Sequence, residues 1–292
     1  MITFAIPYYS GADYLVRALG SVLAQQGVEW QALVCNDGKD DIARLVRDAG
    51  KGRVRYLVND KNLGMAGNWN RCLDAAETDL VTLLHGDDEL TPEYGARMAA
   101  ALHEHPRAAA AYCRYDVIGP ASEPVRSMSD FVKDLIDPAR RGDTVLAGEA
   151  GMRALMRANI IAAPTLCYRK SVLGTRRFQA GHKFVLDWEL TMQILLDGDE
   201  IAGVHDKLFR YRRHPEQATE RLTHAGLRFR EEIEFYQRAA ARLAERGWTG
   251  AARIARRMRF TRLHIAYRTA RSAARLELAD VRDGVALLRE LA

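Results

Sequence analysis

The sequence predicts an α/β protein: a mostly parallel sheet flanked by helices, followed by a helical C-terminal extension. Three observations carry this. Short apolar runs alternate with helix-periodic stretches from Ile2 to Leu90, the signature of βαβ units on a parallel sheet. Those runs end abruptly in polar or turn-forming residues, at Pro7, at Asn36-Asp37-Gly38 and at Gly86-Asp87-Asp88. Beyond about residue 226 the strand-like runs stop and apolar residues recur at helical spacing.

Ile2 to Ile6 reads as a buried strand that stops at Pro7. Leu15, Val16, Leu19, Val22 and Leu23 recur as on a helix. Ala32-Leu33-Val34-Cys35 is a second buried strand. A short helix over about 40–49 leads to a third strand, Val54 to Val58. Residues 62–67 form a glycine-bearing turn, and a helix through Trp69, Leu73 and Ala76 leads to a strand at Leu80 to Leu84. Right-handed crossovers would put Pro7, Asp37 and Asp87 on one edge of the sheet. A helix over 92–103, a strand over 108–115, a helix near 149–158, a strand over 164–169, a helix over 187–196 and a strand over 201–211 follow. Residues 119–147 hold three prolines and no clean periodicity, and read as an insertion or lid. Residues 226–292 read as two or three amphipathic helices broken at Gly247 and near Ala274. The expected division is a catalytic domain over 1–220 and a basic helical extension over 221–292.

At 292 residues, 48% apolar and 28% charged, the composition is that of a globular protein. No run of eighteen apolar residues could span a bilayer. No basic segment precedes the first strand, so no secretory signal is expected. Cys35, Cys72, Cys113 and Cys167 lie far apart without a CxxC pair, which favours reduced thiols in a cytoplasmic setting over disulfides or zinc. The net charge of +5 is uneven: residues 221–292 hold 16 arginines against eight acids, leaving −3 for the rest. Such a tail suits an anionic surface, and it equally suits a solvated helical face.

The chemistry centres on Leu80 to Asp88. Two adjacent carboxylates repel when ionised, and burial makes this worse. A divalent cation such as manganese or magnesium relieves the repulsion. Capping of the next helix is the other reading of the same pair. Neither a GxGxxG motif after the first strand nor a GxxxxGK[ST] motif is present, so dinucleotide and P-loop functions lose support. What remains is a set of carboxylates at strand ends, Asp37, Asp87 and Asp88, with Asp187 at a later helix start.

These segments resemble inverting family 2 glycosyltransferases with the nucleotide-sugar-binding GT-A fold. The resemblance rests on Ala5-Ile-Pro-Tyr-Tyr-Ser10, Val34-Cys-Asn-Asp-Gly38, residues 62–71 and Leu84-His-Gly-Asp-Asp-Glu-Leu90, with Leu186-Asp-Trp-Glu189 and Tyr211-Arg-Arg-His-Pro215 in order behind them. It covers about residues 1–220 and implies transfer of a sugar from a nucleoside-diphosphate donor, foremost a UDP-sugar, to an acceptor hydroxyl with inversion. Pro7 and Tyr9 would border the base, and Asp37 would accept from the uracil N–H. Asp87 would hold the ribose or help with the cation. Asp88 would ligate manganese or magnesium, with His214 adding a metal or phosphate contact. Asp187 would be the general base. The sequence departs from the family pattern at three places. His85 stands at the first position of the usual Asp-x-Asp, Asn36 replaces an acid, and Trp69 stands where arginine is frequent.

Two other classes fit the sequence less well. A nucleotidyltransferase would want a glycine-rich, basic loop after the first strand, and Tyr8 to Asp13 has one glycine and no basic residue. A non-catalytic nucleotide-sugar-binding protein would be expected to lose Asp88 or Asp187, and both are present. Expected partners are the donor and a saccharide, lipid-linked or small-molecule acceptor; no nucleic acid is expected. Met258, Leu263, Ile265, Ala266 and Ala270 form an apolar stripe flanked by arginines. It suits packing or a homodimer, or peripheral contact with the inner face of a membrane.

Overall fold

The computed structural model describes residues 1–215, 217, 222–223 and 226–291. The first half runs β1 (Ile2–Tyr8), α1 (Ala12–Leu23), β2 (Trp30–Asn36), α2 (Ala43–Ala49), β3 (Val54–Val58), α3 (Gly64–Ala75), β4 (Leu80–Leu83), β5 (Glu89–Leu90) and α4 (Tyr94–Glu104). Then come β6 (Ala108–Ile118), α5 (Met128–Ile136), β7 (Thr144–Leu146), α6 (Gly148–Arg157), β8 (Cys167–Arg169), α7 (Lys170–Leu173), α8 (Leu186–Leu196) and β9 (Glu200–Arg212). The C-terminal helices are α9 (Leu227–Glu245), α10 (Thr249–Arg257), α11 (Arg259–Ala274) and α12 (Leu278–Glu290).

The strands form one sheet in the order β3-β2-β1-β4-β8-β6-β9-β5, with β7 also on β9. β1 to β4 are mutually parallel, as are β6 and β9. β8 runs antiparallel between the two parallel groups. β1 shows how alternation builds two cores. Ile2, Phe4 and Ile6 pack with Leu15, Leu19 and Val22 of α1 on one face, while Ala5 packs with Trp69, Cys72 and Leu73 of α3 on the other.

β1 runs through Pro7 to Tyr8 rather than stopping at the proline. Leu84 N donates to Ala5 O, so the edge of β1 that Pro7 shares with Ala5 faces β4. The β1–β4 pairing ends at Ala5↔Leu83, so the missing N–H of Pro7 falls where no ladder partner remains. The expected strand over 164–169 is shorter: Ala163–Thr165 is a 3-10 turn and only Cys167–Arg169 pairs.

Residues 119–147 are not irregular throughout. They hold α5, a 3-10 turn at Pro138–Arg141, and β7, which pairs with β9. The helix escaped sequence reading because its polarity is inverted. Met128, Phe131 and Leu135 face outward, while Asp130 and Asp134 turn inward to Arg213 and Arg114. Among the described residues the tail has four helices rather than two or three. They break at Gly247 and just after Ala274 as expected, the latter at Leu276, and also at Met258, with Met258 and Leu276 in the left-handed region.

Residues 221–292 divide by packing. Phe235 of α9 stacks on Trp188 of α8 at 4.4 Å between ring centroids. Glu149 accepts from the first N–H groups of α10, Gly250 and Ala251. α9 and α10 therefore belong to the same core as the sheet. α11 and α12 pair chiefly with one another. The expected stripe on α11 is split: Met258 and Ile265 are buried, while Leu263 is 71% exposed.

Candidate active site

A cleft of about 680 Å³ opens at the carboxyl ends of β1, β2 and β4, where open α/β sheets bind ligands. Its volume is in the range of small-molecule sites. Pro7, Tyr9, Asp37, Asp87, Asp187 and His214 all line it. Asp88 lies directly behind Asp87 and is buried.

One wall is the turn between β3 and α3. Asp37 accepts from Leu63 N at 2.7 Å, Gly64 N at 3.0 Å and Asn59 Nδ2 at 2.8 Å. Its carboxylate thus caps the start of α3, an arrangement that suits a negative charge. Oδ2 carries only one of these bonds. Asn59 also donates to Asn68 Oδ1, and Asn68 donates to Cys35 O, tying the turn to β2. Gly38 is required by close approach: a Cβ there would stand 2.1 Å from Tyr9 O. Tyr9 itself is 59% exposed at the rim. Trp69 also lines the cleft, with its ring 5.0 Å from His85 and 4.9 Å from Phe178.

The floor is the loop after β4. Ligand atoms of His85, Asp87 and Asp88 lie within 4.8 Å of one another. Asp88 Oδ1 accepts from Arg212 N at 2.8 Å, while its Oδ2 is buried without a hydrogen bond. Burial, and then the charge of Asp87, pushes the Asp88 carboxyl well above its ordinary range. Desolvation raises the half-buried Asp87 carboxyl, but its contact with His214 outweighs this and holds it below that range. Burial lowers the proton affinity of His85, and its Nε2 has no hydrogen-bond partner. Two acids with an orphaned oxygen beside an imidazole nitrogen form a donor set suited to a divalent cation. His85, a departure from the family pattern by sequence, is thus part of the cluster. His214 stands outside it, with Nε2 at 3.1 Å from Asp87 Oδ2.

Arg212 holds this floor in place and was not singled out from the sequence. Its guanidinium is wholly buried. It donates to Asp87 O and Gly119 O, each at 2.7 Å, and pairs with Glu89. One side chain thereby joins the end of β9, the Asp87–Glu89 loop and the start of the 119–147 segment.

The opposite wall carries Asp187, in the first turn of α8. Asn159 Nδ2 donates to its Oδ2 at 3.0 Å. Burial raises the Asp187 carboxyl to about 6, against the Asn159 hydrogen bond and the charge of Lys133. That places its affinity for a proton near neutral pH, as a general base requires. No motif in the sequence pointed to Asn159; its role appears only when α6 and α8 are brought together.

Residues 3–162 match the family described as Glycosyl transferase family 2. The chain belongs to that family. It is 36% identical over 98 residues to the succinoglycan biosynthesis protein ExoO of Rhizobium meliloti, covering 33% of this chain and 28% of ExoO. It is 29% identical over 89 residues to the UDP-Glc:alpha-D-GlcNAc-diphosphoundecaprenol beta-1,3-glucosyltransferase WfgD of Escherichia coli, covering 30% of this chain and 35% of WfgD. Each match thus spans about a third of the curated relative. The S. aureus TarS 1-349 structure in complex with UDP-GlcNAc superposes with a TM-score of 0.59 at 19% identity, over 74% of this chain and 59% of that one. This likeness bears on the fold, which is that of the family 2 glycosyltransferases. Among the described residues no helix is long and apolar enough to cross a membrane.

Proposed function

We propose that the protein is an inverting, divalent-cation-dependent glycosyltransferase that moves a sugar from a nucleoside-diphosphate donor, foremost a UDP-sugar, to an acceptor hydroxyl. The observation that carries the reading is one cleft with the His85, Asp87 and Asp88 cluster on its floor and a carboxyl tuned to about 6, Asp187, on its wall. The UDP-Glc donor in the printed name of WfgD supports UDP.

In this reading Pro7 and Tyr9 border the base, and the second oxygen of Asp37 accepts from the uracil N–H. Asp87 and Asp88, with His85, would hold the cation, and His214 orients Asp87 through their contact. When bound, the cation supplies charge neutralisation for the departing diphosphate. Asp187 takes the proton of the acceptor hydroxyl as its oxygen attacks the anomeric carbon. The bond from that carbon to the diphosphate oxygen breaks, and the nucleoside diphosphate leaves with the bonding pair. A single displacement from the opposite face inverts the configuration.

The catalytic unit is proposed to reach past residue 220, because Arg228 of α9 lines the cleft. The outer helices α11 and α12 form the extension proper. Exposed Leu263 and Tyr267, with Arg259 and Arg271 on the same helix, support peripheral contact with an anionic membrane surface. Salt-sensitive co-sedimentation with anionic but not neutral vesicles tests that contact. The central test is a screen of UDP-, GDP- and TDP-sugars for nucleoside-diphosphate release by slow hydrolysis with manganese. Release from UDP-sugars is expected, and release from none would overturn the reading.

A further inference from the structure

Four basic side chains gather at the Asp187 end of the cleft, and the activity as described does not use them. Lys133, Lys183, Arg213 and Arg228 all line it. Among the described residues, the acids that face these cations are each engaged. Asp130 accepts from Arg213 at 2.8 Å and from the Tyr115 hydroxyl at 3.0 Å. Glu232 pairs with Arg228 at 2.9 Å and accepts from Thr261 Oγ1 at 2.6 Å. Glu231 accepts from Lys183 N and Phe184 N. Asp187 is held by Asn159. Arg228 stacks over the Phe184 ring at 4.5 Å and Arg213 over Tyr211 at 4.7 Å.

Lys133 differs from the two arginines. It projects from the inner face of α5 beside Asp130, and its ammonium makes no hydrogen bond or ion pair among the described residues. Burial, reinforced by the charge of Arg228, pushes it down to about 8. His264 of α11 registers the same field. Burial and the charges of Arg228, Lys133, Arg268 and Arg213 push it down to about 3. Desolvated charges in proteins are paired or bind a counter-charge. A half-buried lysine left without a partner beside two arginines is therefore an anion site. It lies in the same cleft as the proposed base and within electrostatic reach of it.

We propose that this end of the cleft binds an acceptor bearing a phosphate group, held by Lys133 with Arg213 and Arg228, so that the acceptor hydroxyl meets Asp187. The proposal rests on the donor reading above and adds the acceptor's chemical class. It separates two roles in one cleft: the acids on the floor serve the donor, and the cations beside α5 serve the acceptor.

The test uses the full chain saturated with UDP and manganese, so that the donor position is filled. Calorimetric titration compares N-acetylglucosamine 1-phosphate with N-acetylglucosamine, and adds short-chain phosphatidic acid below its micelle concentration as a lipid-borne phosphate. The sugar phosphate is expected to bind at least about tenfold more tightly than the parent sugar. Lys133→Met should remove that difference and Lys133→Arg should keep it, with UDP affinity and melting temperature unchanged in both. Tighter binding of the phosphatidic acid, with the same sensitivity to Lys133, would assign the phosphate to a lipid rather than a free sugar. Equal binding of sugar and sugar phosphate by the wild type, or an undiminished preference in Lys133→Met, would overturn the proposal. Failure of the wild type to bind UDP is a separate readout and would overturn the donor reading on which it stands.

Discussion

Asp187→Asn should disable the protein and make it more stable at the same time. Asp187 is 7% exposed and its carboxyl is raised from 3.8 to about 6, chiefly by burial. Each tenfold change in proton affinity is worth about 1.4 kcal/mol, so ionised Asp187 costs the folded state about 3 kcal/mol above pH 6. The sign follows from linkage. A carboxyl whose folded value is raised favours the folded state fully below its unfolded value near 4, and that advantage is lost as pH rises through about 6. An asparagine of similar shape carries no charge to desolvate and can still bond Asn159. The substitution should therefore raise stability at pH 8 by about 1–3 kcal/mol, a shift of several degrees in a chain of this size. The gain should shrink toward zero by about pH 4. Turnover should fall by about 10²–10⁴, the usual contribution of a general base. Thermal melts at pH 4, 6 and 8, set beside donor binding and turnover, test both parts. A mutant that melts no higher than the wild type at pH 8 would refute the desolvation argument, and full turnover would remove Asp187 from the mechanism.

The remaining predictions concern the floor and the wall. Asp88→Asn should weaken UDP binding in manganese far more than without it, as read by calorimetry; equal affinity in manganese would exclude Asp88 as a ligand. Gly38→Ala forces Tyr9 O away from a Cβ that would stand 2.1 Å from it, so donor affinity should drop at least tenfold while circular dichroism stays native. Arg212→Met leaves Glu89 and two carbonyls without their donor in a buried setting. Breaking such a site should cost about 3–5 kcal/mol, visible as a lower urea midpoint. Asn159→Ala removes the hydrogen bond that favours ionised Asp187, so the acid limb of turnover should move above pH 6; an unmoved limb would show that the bond does not tune the base.

The sequence alone determined the parts governed by local rules. Apolar runs of four or five residues stopped by turn formers located β1, β2 and β4, because a strand buried on both faces is apolar along most of its length; β3, at the sheet edge and carrying Arg55, was located by its place in the strand–helix alternation. The residues at those strand ends, Pro7, Asp37 and Asp87, meet in one cleft because parallel strands with right-handed crossovers bring their carboxyl ends to the same edge. Only the tertiary structure decided the rest. α5 was hidden because it turns Asp130 and Lys133 inward and Phe131 outward, the reverse of the pattern that marks a helix on a core. The antiparallel β8 between two parallel groups depends on long-range pairing that its three residues do not encode. His85 read as a departure until the loop after β4 set its imidazole beside both acids. Arg212 stood in a quoted motif without a role, since a buried guanidinium is defined by the carbonyls and carboxylate gathered around it from two distant segments. Asn159 and Asp187, 28 residues apart, become a tuned pair only where α6 and α8 pack together. Periodicity reports which face of a single element is apolar; the electrostatics of a site depend on which elements meet there.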